Sequence, residues 1–550
     1  MKQIQLLILL FVCGGTIQIS AQKKKPLNVV WLSAEDMGPI LGVYGNPVIK
    51  TPNLDKLAAE GVRYTHAYST VGVCAPSRFS IITGMYATRL GAQNMRTGDY
   101  HNYKTPEEVK HNTYIGVRDK TGRNVPEYEV VPPSNVHCFT ETLRREGYYC
   151  ANNFKCDYQF NAPFTAWDEV SSTVSYRDCP KDKPFFYVRN FMVTHESRIW
   201  MRKDEPLTVQ PEDVIVPDYF ADIPEVRNDI ARKYSNIEEM DRQVGELLKE
   251  LEEDNLLDNT IIVFWSDHGG NLLRQKRAVG NSGLNVPLIV RYPDKKRAGT
   301  VDDRIVSLMD LGPTMLSLLN IKPAEHYDGK AFSGTYEQTP RNFAFGSADR
   351  FDEVTDMQRS VLDGRYVYIK NFLPHLPLIY RNKYREQITM NAKLIAMDRN
   401  KELSGDAAYI FMDTKPNEEL YDLKNDPYEV HNLANNPNHA ERMTNFRKAL
   451  ANWQLEIGDK GFIPEHDLIQ LFWPEFLQPV TSEVIFKNEK RGKIVLESTT
   501  EGASIGYQLD KEIGSKHWNL YHSPIKLTKN QKIAARAIRI GFKASKITSK

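Results

Sequence analysis

The chain has 550 residues, 41% of them hydrophobic, with 71 Lys and Arg against 70 Asp and Glu and a net charge of +1. That length exceeds one ordinary domain and predicts two or three. The balanced charge excludes a basic face for nucleic acid or for an anionic membrane, so any attraction for an anionic substrate must be local.

Met1-Lys2, the apolar residues 6–12 and Ile19-Ser20-Ala21-Gln22 have the three parts of a secretory leader. The apolar run is too short for a stable anchor. Residues 1–21 are therefore expected to be removed, and the mature chain to reach the periplasm or the extracellular space without a membrane anchor. Residues 27–32 are apolar and β-prone and end in Ser33-Ala34-Glu35-Asp36, the pattern of a buried parallel strand with ligands at its carboxyl end. Pro52 opens and Gly61 closes a short helix with Leu54, Leu57 and Ala58 on one face. Val73-Cys74-Ala75-Pro76-Ser77-Arg78 follows, with Thr83-Gly84 close behind. A helix entered after Pro76 puts Arg78 on the same face as residue 74. Residues 91–133 are polar and irregular, where binding loops tend to lie, and offer Arg96 and His101 as candidate substrate contacts.

Residues 139–146 read as a helix and 147–158 as a strand and turn carrying Lys155 and Asp157. Residues 184–191 form another buried strand, which delivers Thr194-His195-Glu196. His195 is a candidate general acid because imidazole titrates near neutral pH, with Glu196 as a group that could orient it. Residues 224–253 repeat apolar positions at three- and four-residue steps and predict a long core helix. The strand 260–266 ends in Asp267-His268-Gly269, and Gln275-Lys276-Arg277 precedes a further strand within 283–293. Of six cysteines, Cys13 falls in the leader and Cys74 in its own motif. Cys138, Cys150, Cys156 and Cys179 then allow at most one or two disulfides in an exported chain.

The Cys74-x-Pro76-Ser77-Arg78 motif with Thr83-Gly84, the Thr-Pro-Asn-Leu-Asp-x-Leu-Ala-x-x-Gly pattern of residues 51–61 and the strand-end groups together resemble the formylglycine sulfatases of the alkaline phosphatase superfamily, across residues 27–435. The resemblance implies an α/β fold: an alkaline-phosphatase-like central mixed sheet sandwiched by helices. It implies that a maturing enzyme converts Cys74 to formylglycine. The hydrate of that aldehyde can attack sulfur with one oxygen and expel sulfate with the other, which a Ser or Cys side chain cannot do. It implies a divalent cation, Ca2+ with Mg2+ or Mn2+ as alternatives, on Glu35, Asp36, Cys74, Asp267 and His268. Arg78, Lys155 and Lys276 then serve the sulfate and His195 the leaving group. Glu35 stands where relatives carry the first Asp of a pair, and Asp157 where they carry His, which makes Asp157 a substrate-contact candidate. The implied substrate is a sulfated glycan, with O-sulfated galactose, N-acetylgalactosamine or N-sulfoglucosamine as terminal sugars. A phosphonate or phosphate monoester hydrolase and an inactive glycan-binding protein are the competing readings. The expected organisation is a catalytic domain over 22–335, a smaller α+β subdomain over 336–463, a linker over 464–481 and a β-sandwich over 482–550.

Overall fold

The computed structural model describes residues 25–95, 117–489 and 492–550. The leader, Arg96 and His101 lie outside them. Eight strands make the central sheet: β1 Asn28–Ala34, β2 Val62–Tyr68, β3 Tyr149–Asn152, β4 Glu169–Val170, β5 Phe185–Phe191, β6 Thr260–Ser266, β7 Asn285–Arg291 and β8 Thr300–Ser307. Their order is β4-β3-β5-β1-β6-β7-β2-β8. β1 is parallel to β5 and β6, and β3 is parallel to β4 and β5. β7 runs antiparallel to both of its neighbours, which makes the sheet mixed. The carboxyl ends of β3, β5, β1 and β6 therefore lie side by side.

The apolar runs read as strands are buried throughout in β1, β6 and β7, as a sheet covered on both faces requires. The period of two sorts β1 between two cores: Val29 and Trp31 enter one, Val30, Leu32 and Ala34 the other. Trp31 packs edge-on to Phe186 and Trp265 at 5.0 and 5.4 Å. On its side lie the helices Cys74–Thr83, Phe139–Arg145 and Leu311–Leu318. The opposite face is covered by the helix Pro224–Glu253, whose Ile230, Ile237, Met240, Val244 and Leu251 are buried. Each such side chain contributes roughly 1.5–3 kcal/mol.

A second, antiparallel sheet in the order β12-β11-β10-β9 is formed by β9 Ala344–Phe351, β10 Val354–Leu362, β11 Tyr366–Asn371 and β12 Glu418–Asp422. The helix Ala440–Ile457 closes it, with Trp453 stacked on Phe345 at 4.9 Å. Beneath it Arg359, fully buried, bridges Asp349 (Nη1 to Oδ2, 2.9 Å) and Asp459 (Nε to Oδ2, 2.7 Å). Arg359→Ala leaves both carboxylates without their cation and is expected to cost roughly 3–5 kcal/mol, seen as a lower urea midpoint. A midpoint within error of the wild type would contradict this role.

The last strands are β13 Ile485–Asn488, β14 Lys493–Glu497, β15 Ser504–Leu509, β16 Asn519–Leu520, β17 Ile525–Lys526, β18 Ile533–Ile538 and β19 Thr548–Ser549. They make two sheets, β13-β14-β17 and β16-β15-β18-β19, over a shared core of Val484, Leu496, Ile505 and Ile533. The stretch read as a linker differs from expectation: it contains the helix Glu465–Phe472. Leu468, Ile469 and Phe472 form its buried face, and Glu465 accepts from Arg350 Nη2 at 2.9 Å. The flanking Pro464 and Pro474 hid this short apolar period. Of the one or two bridges the sequence allowed at most, none is present: Cys138, Cys150, Cys156 and Cys179 are free thiols. Cys138, Cys150 and Cys179 sit in the cores as small hydrophobic side chains.

Candidate active site

β1 ends by presenting Glu35 and Asp36. Asp36 adopts a left-handed backbone with φ 51°, a strained conformation common where side chains must be aimed at a site. Its N–H donates to Asp267 Oδ1 at 3.1 Å, and the Glu35 N–H donates to Thr194 Oγ1 at 3.1 Å. The ends of β1, β6 and β5 are thereby tied to one another. β6 delivers Asp267 and His268, and β5 passes through a short 3-10 turn to His195 and Glu196. Lys155 follows β3. The helix expected after Pro76 begins at Cys74 itself, with Pro76 in its first turn, where the missing N–H costs nothing. Cys74 thus sits at a helix N-terminus, which favours an anion.

These groups converge. Cys74 Sγ is 3.5 Å from His268 Nε2 and 3.7 Å from Asp36 Oδ1. His268 Nε2 is 3.0 Å from Asp36 Oδ1. Arg78, one helical turn after Cys74, donates from Nε to Asp267 Oδ2 at 3.3 Å and reaches Glu35 with Nη2. Lys155 Nζ also donates to Glu35 and lies 3.7 Å from Asp157 Oδ2. Lys276 Nζ donates to Asp36 Oδ2 at 2.7 Å and Glu196 Oε1 at 3.0 Å, and lies 3.3 Å from His195 Nε2. Glu35, Asp36, Asp267, Asp157 and Glu196 thus face Arg78, Lys155 and Lys276 around the largely buried Cys74.

Charge sets the protonation. Burial lifts the Glu35 carboxyl above its usual range, against Arg78 and Lys155. For Asp36, burial is outweighed by Lys276, His195 and His268, which hold it well below the carboxylate range. Burial works against a charged His268, yet Asp267 and Asp36 push it up to about 10. His195 goes the other way, lowered to about 3 by burial and then by Lys276. The near-neutral titration expected of an unperturbed imidazole is thereby shifted toward the neutral form. Two overlapping sets, Glu35, Asp36, Cys74 and His195, and Asp36, Cys74, Asp267 and His268, each bring their ligand atoms within 4.8 Å of one another. Of these donors the carboxylates Glu35, Asp36 and Asp267 fit a hard divalent cation, and the imidazoles of His195 and His268 and the Cys74 sulfur complete the two sets.

The site opens into a cavity of about 970 Å³ lined by Cys74, Lys155, Asp157, His195, Lys276 and Trp473 among others. Asp157 thus faces the cavity. Glu196 also reaches it, but its carboxylate receives both Arg277 Nη groups at 3.0 Å and is held at about 2, burial notwithstanding, by Arg277 and Lys276. It braces those cations and does not orient His195, whose Nδ1 instead meets Ser197 Oγ at 2.9 Å.

A family model described as Sulfatase matches residues 27–178 and 168–321. The ulvan-active sulfatase of Formosa agariphila is 41% identical over 94% of this chain and 90% of its own length. The chain belongs to the sulfatase family. Human N-sulphoglucosamine sulphohydrolase is 25% identical over 86% of this sulfatase and 98% of its own length. A solved structure in complex with its substrate D-glucosamine-2-N,6-O-disulfate aligns at TM-score 0.54 and 17% identity, covering 80% of this chain and 99% of that one. The phosphonate monoester hydrolase of Agrobacterium radiobacter aligns at 0.53 and 16%, covering 79% and 96%. These two likenesses concern the fold, and it is the sequence relatives that make the protein a sulfuric ester hydrolase.

Several side chains that shape the sulfatase site had no sequence signal of their own. Ser33 and Asn190 accept from Arg78 Nη2 and Nη1 at 3.2 and 3.3 Å. Asn190 in turn donates to Asn152 Oδ1 at 2.9 Å. Arg277 links Glu196 to Asp352 Oδ2, the latter at 2.7 Å. The crowded Arg274-Gln275-Lys276-Arg277 run is sorted by backbone: Arg274 and Arg277 are both left-handed, with φ 62° and 74°. Arg274 turns away onto Tyr219, Tyr409 and Tyr421, while Lys276 turns into the site.

Proposed function

We propose that this sulfatase removes sulfate from a sulfated polysaccharide, ulvan or a polymer like it, through Cys74 in its formylglycine form. The observation that carries the reading is the placement of Cys74: the first residue of a helix, at the base of a large cavity, between Asp36 and His268 and within the field of Lys155 and Lys276. Glu35, Asp36, Asp267 and His268 would hold the divalent cation, Ca2+ by its preference for oxygen ligands, and its charge would hold and acidify the nucleophilic hydroxyl that the hydrated aldehyde supplies. Lys155 and Lys276 donate to the sulfate oxygens, where charge grows as the ester bond breaks. Arg78 fixes Glu35 and Asp267 beneath them. His195 meets the leaving oxygen at Nε2 and donates a hydrogen bond to it. Maturation requires a formylglycine-generating partner, and the leader of residues 1–21 suits export to the periplasm or beyond. No helix among the described residues is long and apolar enough to cross a membrane.

Sulfate release from ulvan oligosaccharides, N-sulfoglucosamine and 6-sulfated N-acetylgalactosamine tests the substrate class. Release from ulvan fragments above the others is expected. Preference for N-sulfoglucosamine would favour the activity named for the human relative.

The cation is tested separately. Because Asp267 and Asp36 push His268 up to about 10 against burial, the ligand set carries a proton near pH 8 that a metal must displace. Calcium added to chelator-stripped protein is expected to release about one proton per ion, read by calorimetry in buffers of different ionisation enthalpy. Uptake without proton release, or no uptake, would contradict the assignment of His268.

A further inference from the structure

The cavity volume of about 970 Å³ stands at the upper end of the roughly 300–1,000 Å³ found for small-molecule sites. A single sulfated ring placed on Lys155 and Lys276 leaves space beyond it. That outer space is lined in part by Trp473 and Gln478, which belong to the segment between the helix Glu465–Phe472 and the C-terminal sheets.

Both side chains are fixed by one carbonyl. Trp473 Nε1–H donates to Gly541 O at 3.1 Å, and Gln478 Nε2 donates to the same oxygen at 3.3 Å. Gly541 lies between β18 and β19 with φ 80°, and a Cβ there would sit 2.4 Å from Val130 O. Only glycine satisfies that backbone and that approach. The half-buried indole is thus held against the cavity by the C-terminal sheets.

We propose that Trp473 forms a second sugar subsite, which takes the glycan ring adjoining the sulfated one. The reading rests on the sulfatase function given above. A sugar ring offers an apolar C–H face and a rim of hydroxyls. Trp473 meets the face, as aromatic side chains do with amphipathic partners. The C-terminal sheets then serve catalysis at a distance, since Gly541 positions the indole. Substrates longer than one sugar are favoured by this wall, and single sugars are not.

Wild type, Trp473→Ala and Trp473→Phe are compared on a single sulfated sugar and on an oligosaccharide ending in that sugar. The ratio of kcat/KM for the oligosaccharide to that for the single sugar is expected to fall about tenfold in Trp473→Ala, through KM, with most of it restored in Trp473→Phe. Calorimetric titration of the same oligosaccharide into Cys74→Ala protein, with and without Trp473→Ala, is expected to show an equal loss of affinity without turnover. An unchanged ratio, or equal losses on both substrates, overturns the subsite. A wild type that binds the oligosaccharide through Trp473 and releases no sulfate from either substrate overturns the sulfatase reading and leaves the subsite standing.

Discussion

Cys74→Ala is expected to lower sulfate release by a factor on the order of 10⁴ or more, the scale on which nucleophiles matter, while substrate affinity changes little. The side chain makes no ion pair and packs as a small buried group, so its removal leaves the Asp36, His268, Lys155 and Lys276 frame in place. The loss therefore belongs to kcat. Single-turnover sulfate release together with calorimetric affinity for the oligosaccharide separates the two effects. A variant that keeps activity within tenfold of the wild type would place the nucleophile elsewhere.

Lys276→Met is the second large effect, and it has two readouts. Lys276 touches Asp36, Glu196 and His195 at once and stands where a sulfate oxygen must be stabilised. Loss of such a donor lowers kcat/KM by roughly 10²–10³. The second readout is His195. Burial and then the Lys276 charge hold its imidazole at about 3, while Asp36 and Glu196 pull it upward. With the cation gone, the protonated imidazole loses a repulsive neighbour and its titration rises toward the ordinary value near 6.5. NMR of the His195 ring as a function of pH reads this directly. The sign for stability follows. A folded value near 3 lies below the unfolded value of about 6.5, so His195 contributes fully above pH ~6.5 and its contribution is lost as pH falls toward 3. An unmoved His195 titration in Lys276→Met would show that burial alone sets it.

What the sequence made legible follows from local chemistry. Glu35, Asp36, Asp267 and His195 each follow an apolar run that can only be a buried strand, and a buried parallel sheet places such ends together. Cys74 and Arg78 lie one helical turn apart, so their shared face needed no tertiary information. Ser33, Asn190 and Arg277 were invisible because their pairings span up to 112 residues, as between Arg78 and Asn190, and nothing in a single side chain reports its distant partner. Neutral His195 was likewise hidden, since its state depends on Lys276, 81 residues away. The helix Glu465–Phe472 was missed because its apolar face is short and bracketed by prolines. The role of Trp473 emerged only with Gly541, in the turn between β18 and β19.

The most direct test of the account is the mass of the tryptic peptide spanning residues 64–78, taken from protein made in its natural host and followed by a sulfate-release assay on the same preparation. The account predicts an aldehyde or its hydrate in place of the Cys74 thiol, with sulfate release proportional to the converted fraction. An intact thiol in protein that releases sulfate at full rate would contradict the central claim.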